Sequence, residues 1–146
     1  MQAFLDLLPY IPPTDVALFC GILGLFLGSF YNVCSDRYLS GESILWPPSH
    51  CTACNAKLSP LELIPLLSWL VLRGRCRHCG AVIGWRYPLM ELASGFFAAL
   101  VGYRFGASTA CLVGLVFTGL FLVLSAIDFQ AFLLPDKMTF PGAILA

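Results

Sequence analysis

The amino-acid sequence predicts an all-α integral membrane protein with about three to four transmembrane helices and a small cytoplasmic, zinc-ribbon-like insertion. The composition is the first observation: 59% of the residues are hydrophobic, only 11% are charged, and the mean hydropathy is +0.85. Soluble domains have about 25% charged residues, so the chain belongs in a lipid membrane. The other observations are long uncharged stretches and two C-x2-C pairs between them. A formal net charge of zero argues against a nucleic-acid partner.

Residues 1–35 hold an N-terminal segment and the first predicted transmembrane helix. Val16 to Ser35 is free of charged residues, and a helix of 20 residues spans about 30 Å, the thickness of the hydrocarbon layer. Three glycines, Gly21, Gly24 and Gly28, recur at helical spacing in this stretch. They would allow close packing against another helix, although ordinary membrane-helix composition explains them equally well.

Residues 36–87 form the polar insertion with the two cysteine pairs, Cys51 with Cys54 and Cys76 with Cys79. Each pair can place two thiolates on one side of a tight turn, and four thiolates suit a tetrahedral Zn²⁺ site. Disulfides or free thiols are the alternatives. Between the pairs, residues 63–72 are apolar but too short to span a bilayer, so we expect a small hydrophobic core there, which also could touch the membrane surface.

Residues 88–146 hold the remaining predicted helices. Residues 88–103 and the uncharged residues 105–127 are the second and third apolar segments, and Arg104 and Gly106 mark a turn between them. Residues 128–137 are expected to form a short polar connection, after which a fourth apolar segment begins at Met138.

The basic residues predict the orientation. With the N-terminus outside, seven of the eight Lys and Arg residues lie on the cytoplasmic side and only Arg104 lies outside, as the positive-inside rule requires. The four-cysteine loop is then cytoplasmic, where structural disulfides rarely persist, which favours zinc. We expect Cys20, Cys34 and Cys111 to be packing residues. His50 and His78 adjoin the cysteines and are expected to be polar surface residues rather than ligands.

Three acidic residues are candidates for chemistry. Asp128 ends the third apolar segment, Asp136 lies eight residues further on, and Glu91 lies near the start of the second segment. A carboxyl group at the edge of a membrane helix is partly desolvated, and two such groups can share a proton as in an aspartic protease. The residues alone favour solvated boundary positions for Asp128 and Asp136, with Asp136 capping the next helix. Glu91 could be a boundary acid or could face the site from the neighbouring helix.

Together these motifs resemble the N-terminal part of the type IV prepilin peptidases, the leader peptidases and N-methyltransferases of type IV pilus and type II secretion systems. The similar segments follow the order of that family over roughly residues 21–141: GSFYNV at 28–33, both cysteine pairs, IPLLSWL at 64–70, RGRCRHC at 73–79, RYPLMEL at 86–92, Asp128, and LLPD at 133–136.

The resemblance implies a multi-pass protein of the bacterial inner membrane that cuts the leader from prepilins or pseudopilins with an aspartic mechanism. It implies methylation of the new N-terminus from S-adenosylmethionine. It also matches Asp128 to the first catalytic aspartate and Asp136 to an acid that is not its dyad partner. The partner's G-x-G-D motif does not occur in this sequence, so the chain is expected to be truncated and inactive as a peptidase alone.

Two other functions compete with this one. A non-catalytic membrane zinc module could bind pilin-like clients or partner subunits without cutting them. A membrane redox protein that uses C-x-x-C would need a thioredoxin-like βαβ context, which the sequence does not indicate.

Overall fold

The computed structural model describes the backbone of residues 11–46 and 48–144 and the side chains of residues 11–46 and 48–131. Its α-helices are α1 (Pro13–Ser40), α2 (Leu67–Val71), α3 (Arg86–Phe105) and α4 (Thr109–Ile144), and a 3-10 helix spans Pro60–Leu63. The described residues contain no β-strand, only two isolated antiparallel bridges. The prediction of an all-helical protein is therefore confirmed.

Helices α1 and α3 form an antiparallel hairpin held together by small residues. A Cβ added at Gly24 would lie 2.6 Å from the Cβ of Ala98 and from the carbonyl oxygen of Ser94, and one at Gly28 would lie 2.7 Å from the Cα of Glu91. Toward the N-terminus of α1, Cys20 faces Gly102. The glycine stripe is thus the surface on which α3 packs, in agreement with the first of its two interpretations.

Helix α4 runs parallel to α1 and completes an up-down-up bundle. Near its start, the Sγ atoms of Cys111 and Cys20 lie 4.0 Å apart, and further along Gly119 lies against Tyr31. Both cysteines are buried with Val16 and Ala98, so they are packing residues as expected. The parallel direction carries Asp128 toward the end of the bundle at which α1 ends and α3 begins, which we call the module end.

The observed α4 differs from the expectation beyond Ile127. The helix continues to Ile144, whereas the sequence predicted a polar connection over residues 128–137 and a new segment after it. Residues 128–134 contain neither Gly nor Pro, so nothing breaks the ladder of backbone hydrogen bonds before Pro135. Helix α4 therefore continues through the expected connection, in which Pro135 removes one backbone hydrogen bond, the one to the carbonyl of Ala131.

Large apolar side chains cover the outer faces of the bundle. Phe19 and Phe26 of α1, Phe96 of α3, and Phe117 and Phe121 of α4 are all more than half exposed. Two helices in the described part of the chain, α1 and residues Thr109–Ala131 of α4, are long and apolar enough to cross a membrane. Such continuous apolar surface is stable when lipid covers it.

Residues 41–85 connect α1 with α3 and form a small unit that we call the cysteine module. The left-handed Gly41, with φ of 72°, ends α1, and Arg37 donates from Nη1 to the carbonyl oxygens of Ser43 and Ile44 at 2.6 and 3.0 Å. These contacts turn the chain away from the helix axis. The module is therefore attached firmly at its first residues.

The apolar stretch inside the module contributes one main anchor, Trp69 of α2. Its indole N–H donates to the carbonyl oxygen of Ile83 at 3.2 Å, its ring contacts Gly74, and its centroid lies 4.5 Å from that of Trp85. Its neighbours Leu67, Leu70 and Val71 are exposed. The small hydrophobic core expected from residues 63–72 thus consists mainly of the packing around Trp69, while its neighbours leave an exposed apolar surface.

Candidate functional site

The two C-x2-C pairs adopt the same turn. In each turn, the N–H of the first cysteine donates to the carbonyl of the residue five positions later, and its carbonyl accepts from the N–H four positions later. The distances are 2.9 and 2.8 Å for Cys51 and 2.8 and 2.9 Å for Cys76. The fourth position after the first cysteine has positive φ in both turns, 57° at Asn55 and 72° at Gly80. Asn and Gly are residue types that tolerate this conformation.

The two turns face each other and bring all four sulfurs together. The Sγ atoms of Cys51, Cys54, Cys76 and Cys79 lie within 4.8 Å of one another, and those of Cys51 and Cys79 are 3.9 Å apart. Zinc–sulfur bonds of about 2.3 Å place tetrahedral thiolates about 3.8 Å apart, so this arrangement is close to a zinc site. The cluster is compatible with a metal ion, as the spacing predicted.

Backbone hydrogen bonds in the turns favour the ionised form of two of the four thiols. The backbone N–H groups of Ala53 and Cys54 lower the pKa of the Cys51 thiol to about 7, and two N–H groups of the second turn likewise lower the pKa of Cys76. The N–H of Ala56 acts in the same direction on Cys54, but lost hydration and the neighbouring thiols outweigh it and raise the pKa of Cys54 to about 11. Full ionisation of the four thiols therefore needs a cation between them.

Neither histidine joins the four sulfurs. The Nδ1 atom of His50 lies 3.1 Å from the carbonyl oxygen of Pro48, and His78 is exposed. In the described part of the chain, the only group of His, Cys, Asp and Glu side chains arranged to hold a metal is the four cysteines.

Glu91 joins α3 to the cysteine module. Its side chain is only 8% exposed, and its Oε2 accepts from the backbone N–H of Leu66 at 2.8 Å. Leu66 is in the left-handed region with φ of 60°, which is unusual for a branched side chain. The buried carboxylate therefore holds a strained residue at the point where α2 begins.

A second set of contacts closes the module end of the hairpin. Arg86 donates from Nη2 to Oδ1 of Asp36, and the Tyr87 hydroxyl donates to its Oδ2 at 2.8 Å. The buried Asn32 donates from Nδ2 to the carbonyl oxygen of Tyr87 at 3.1 Å. The sequence analysis did not predict these contacts. The feature that could have indicated them is a pair of opposite charges, Asp36 directly after the first apolar segment and Arg86 just before the second.

A cavity of about 470 Å³ lies between the module and the hairpin. Its walls are partly apolar, from Val33, Trp69 and Ile83, and partly acidic, from Asp36 and Glu91. The size is within the range of about 300–1,000 Å³ that small-ligand sites occupy.

Asp128 lies on α4 with its side chain exposed. It follows Gly119 by nine residues, so it is about 13 Å further toward the module end than the contact with Tyr31. No hydrogen bond or ion pair joins it to Glu91 or to another side chain among residues 11–46 and 48–131. Asp136 lies where the side chains are not described, and eight residues of helix separate the two backbone positions by about 12 Å.

Comparisons with known proteins identify the relatives of this chain. The family model described as the bacterial peptidase A24 N-terminal domain matches residues 22–105. A prepilin leader peptidase/N-methyltransferase of Myxococcus xanthus (strain DK1622) is 46% identical over 130 residues, which cover 88% of this chain and 38% of the relative. The proteins with that name from Dickeya chrysanthemi and Klebsiella pneumoniae are 39% and 42% identical, over 82% and 84% of this chain and 50% and 57% of their own length.

The chain thus spans about half the length of the curated relatives that it matches. No solved structure matches it. The apolar helices α1 and α4 and these relatives together indicate a protein of the inner membrane. Since the matched residues 22–105 are more than half of the 146 residues and include both cysteine pairs, the chain belongs to the bacterial peptidase A24 N-terminal domain family, the prepilin peptidase family that its motifs resemble.

Proposed function

We propose that the chain performs the N-terminal share of a prepilin leader peptidase and N-methyltransferase. In this function the protein removes the leader of prepilins or pseudopilins, for type IV pili or type II secretion, and methylates the new N-terminus from S-adenosylmethionine. One observation carries the proposal: a folded four-cysteine module closes the same end of the helical bundle to which α4 carries Asp128.

In this proposal, Zn²⁺ has a structural role. Bound to Cys51, Cys54, Cys76 and Cys79, the ion would join the two turns, which otherwise have only the 3-10 helix and α2 with its Trp69 between them. A module fixed in this way keeps its cavity open and keeps Leu66 over Glu91.

The proposed topology has three spans with the module end in the cytoplasm. Helix α3 has 20 residues, enough for about 30 Å, and packs along α1. Six of the eight basic residues lie between Arg37 and Arg86, at the module end, whereas Arg104 lies at the opposite end of α3. This charge distribution supports the orientation.

Asp128 is the proposed catalytic acid of this chain. Aspartic proteolysis needs one carboxylate to activate water and one protonated carboxyl to donate to the departing amine. Asp128 supplies one of these groups and the remainder of the enzyme supplies the other. Asp136 and Glu91 are proposed as supporting acids only. Glu91 acts through the module, because its carboxylate already accepts from Leu66.

A non-catalytic membrane zinc module that binds pilin-like clients is the second candidate. The observation that favours it is the completeness of the cysteine module within residues 41–85, in a chain that spans about half of its relatives.

The test is an assay in membranes of a host that lacks its own prepilin peptidase. The chain is extended after residue 146 by the C-terminal half of the Dickeya relative and mixed with a prepilin. We expect leader removal, seen as a gel shift, and a methyl group on the new N-terminus, seen by mass spectrometry. Asp128→Asn should abolish cleavage, whereas the control Asp15→Asn, at the far end of α1, should not. Retained cleavage in Asp128→Asn would refute the assignment, and prepilin binding without cleavage or methylation would favour the second candidate.

A further inference from the structure

The short helix α2 of the cysteine module exposes an apolar face. Leu67, Leu70 and Val71 follow one another at i, i+3 and i+4, which places them on one side of the helix, and each is at least 60% exposed. The other side of α2 carries Trp69, which packs on Gly74 and Trp85. Three large aliphatic side chains on one helical turn are costly to leave in water, so this face needs a cover.

The start of α2 lies beside the helical bundle and not beyond its end. Leu66, directly before α2, donates its N–H to Oε2 of Glu91 at 2.8 Å. Glu91 is five residues after Arg86, the first residue of α3, so its Cα lies about 8 Å further along the helix. The ion pair of Asp36 with Arg86 occupies the end of the hairpin itself. Even with the reach of the Glu91 side chain, which points back toward Arg86, α2 therefore begins level with the first two turns of α3.

The surface of the bundle is already apolar at that level. Leu89 and Leu92, which lie on either side of Glu91 in α3, are both more than half exposed, and Phe96 one turn further is exposed as well. Trp85, directly before α3, is 75% exposed, and tryptophans at the ends of membrane helices lie at the level of the lipid headgroups. The apolar surface that lipid covers on the bundle thus extends to the level of α2.

Basic side chains follow the apolar face. Arg73 and Arg75 come two and four residues after Val71, both are exposed, and neither forms an ion pair with a described side chain. Arginines next to the apolar face of a surface helix are attracted to the phosphates of anionic lipids. An apolar protein helix would cover the leucines but would not pair with these charges, so the combination favours lipid.

We propose that α2 is immersed in the membrane interface, with Leu67, Leu70 and Val71 among the acyl chains and Arg73 and Arg75 against the phosphates of anionic lipids. This contact goes beyond the proposed peptidase and methyltransferase function and does not depend on it. A helix of five residues would bind a membrane weakly by itself. Here the spanning helices already hold it at the membrane, so a small apolar face is sufficient.

Photo-cross-linking of the 146-residue chain in lipid vesicles tests the contact directly. p-Benzoylphenylalanine takes the place of Leu70 in one variant and of Leu67 in a second, so that a folding defect in one of them does not decide the outcome. In phosphatidylcholine vesicles with a minor fraction of phosphatidylglycerol, both should give lipid adducts, detected by mass spectrometry. The same amino acid in place of Phe121, on the outer face of α4, is the positive control. In place of His78, which is exposed in the second cysteine turn, it should give none.

The composition of the adducts tests the two arginines. We expect phosphatidylglycerol to be enriched about fivefold over its share of the vesicle lipid, the effect of about one basic residue near an anionic surface. Arg73→Gln combined with Arg75→Gln should remove the enrichment and keep the adducts. The matched control is Arg104→Gln, at the opposite end of α3, which should leave the enrichment unchanged.

Several results would refute the proposal. One is the absence of lipid adducts at both Leu67 and Leu70 while Phe121 gives them, and another is an equal yield at His78. A cross-linked dimer in place of lipid adducts would assign the face to a second copy of the chain. In the chain extended by the C-terminal half of the Dickeya relative, the lipid adducts should persist. Their replacement by a cross-link within the chain would assign the face to that half.

Discussion

The polar residues at the module end of the hairpin have specific partners despite their position beside apolar helices. Asp36 accepts from Arg86 and Tyr87, Asn32 donates to a carbonyl, and Glu91 accepts from Leu66. Buried polar groups are stable when they are paired in this way, and removal of one partner leaves the other unsatisfied. The contacts of Asp36 and Asn32 therefore fix α1 to the first turn of α3, and Glu91 fixes the module to α3.

Replacement of Glu91 separates a structural from a catalytic role. Glu91→Ala leaves the half-buried Leu66 without an acceptor for its N–H and should destabilise the module by about 1–3 kcal/mol. Glu91→Gln keeps an oxygen acceptor and should cost much less. Urea unfolding followed by the fluorescence of Trp69 and Trp85 measures both. If Glu91→Gln folds normally but abolishes cleavage by the extended enzyme, Glu91 acts as an acid in the reaction.

The four-cysteine cluster predicts that the chain binds zinc. Purified chain should carry about one zinc, and Cys54→Ser should lose it and disorder the module while the membrane helices stay inserted, since insertion depends on apolar length. Metal analysis and circular dichroism measure the two effects. Cys34→Ser, outside the sulfur cluster, is the matched control and should keep its zinc. Zinc-free protein with the four cysteines in disulfides would contradict this prediction.

The residues that sequence reasoning found and missed differ in one physical respect. The four cysteines were predictable because each pair is local and its spacing alone fixes the turn. The contacts of Asp36 with Arg86 and of Glu91 with Leu66 join residues far apart in the chain. They depend on the register of α1 against α3, which no single segment encodes.

The register of the hairpin is a property of its helices. The glycines of α1 meet Glu91, Ser94 and Ala98 of α3, and Cys20 meets Gly102, so the two backbones approach closely along their length. The sequence predicted the existence of both helices from uncharged stretches. It placed the end of α1 too early, because Arg37 and Asp36 find partners beyond the apolar segment and the helix continues to Ser40.

One added methyl group at the contact between α1 and α3 should destabilise the hairpin. Gly24→Ala places a Cβ 2.6 Å from Ala98 and from the backbone of Ser94, and such overpacking typically costs about 1–3 kcal/mol. We expect a lower thermal midpoint of the detergent-solubilised chain. The matched control is Gly84→Ala, where an added Cβ meets nothing within 4 Å. Equal stability of the two variants would mean that α1 and α3 do not pack in this register.

At the scale of the whole molecule, the bundle has two chemically different ends. The module end carries six basic residues between Arg37 and Arg86, and the opposite end has the short turn from α3 to α4 with Arg104. In a membrane this asymmetry predicts a cytoplasmic module.

Labelling of introduced thiols tests that orientation. Ser43→Cys, in the module, should react with a membrane-impermeant maleimide only after the cells are permeabilised, because it lies on the cytoplasmic side. Thr109→Cys, at the start of α4, is the control and should react in intact cells. Labelling of Ser43→Cys in intact cells would reverse the topology, and with it the argument that a reducing compartment favours zinc over disulfides.

The last prediction concerns proteolysis by the 146 residues alone. Two carboxyl groups must lie close enough to share a proton, because one acts as acid while the other acts as base. Along the continuous α4, the backbones of Asp128 and Asp136 are about 12 Å apart, so these two residues do not form that pair. We therefore expect no significant cleavage of a prepilin by membranes that contain only this chain.

Cleavage should appear when a C-terminal half with a second aspartate is supplied, either in the same chain or as a separate one. It should disappear again with Asp128→Asn, which keeps the shape of the side chain but removes the ionisable group. Comparison of the short chain, the extended chain and its Asp128→Asn variant in one assay decides the matter. Robust cleavage by the short chain that depends on both Asp128 and Asp136 would show that α4 bends between them and that Asp136 is the partner.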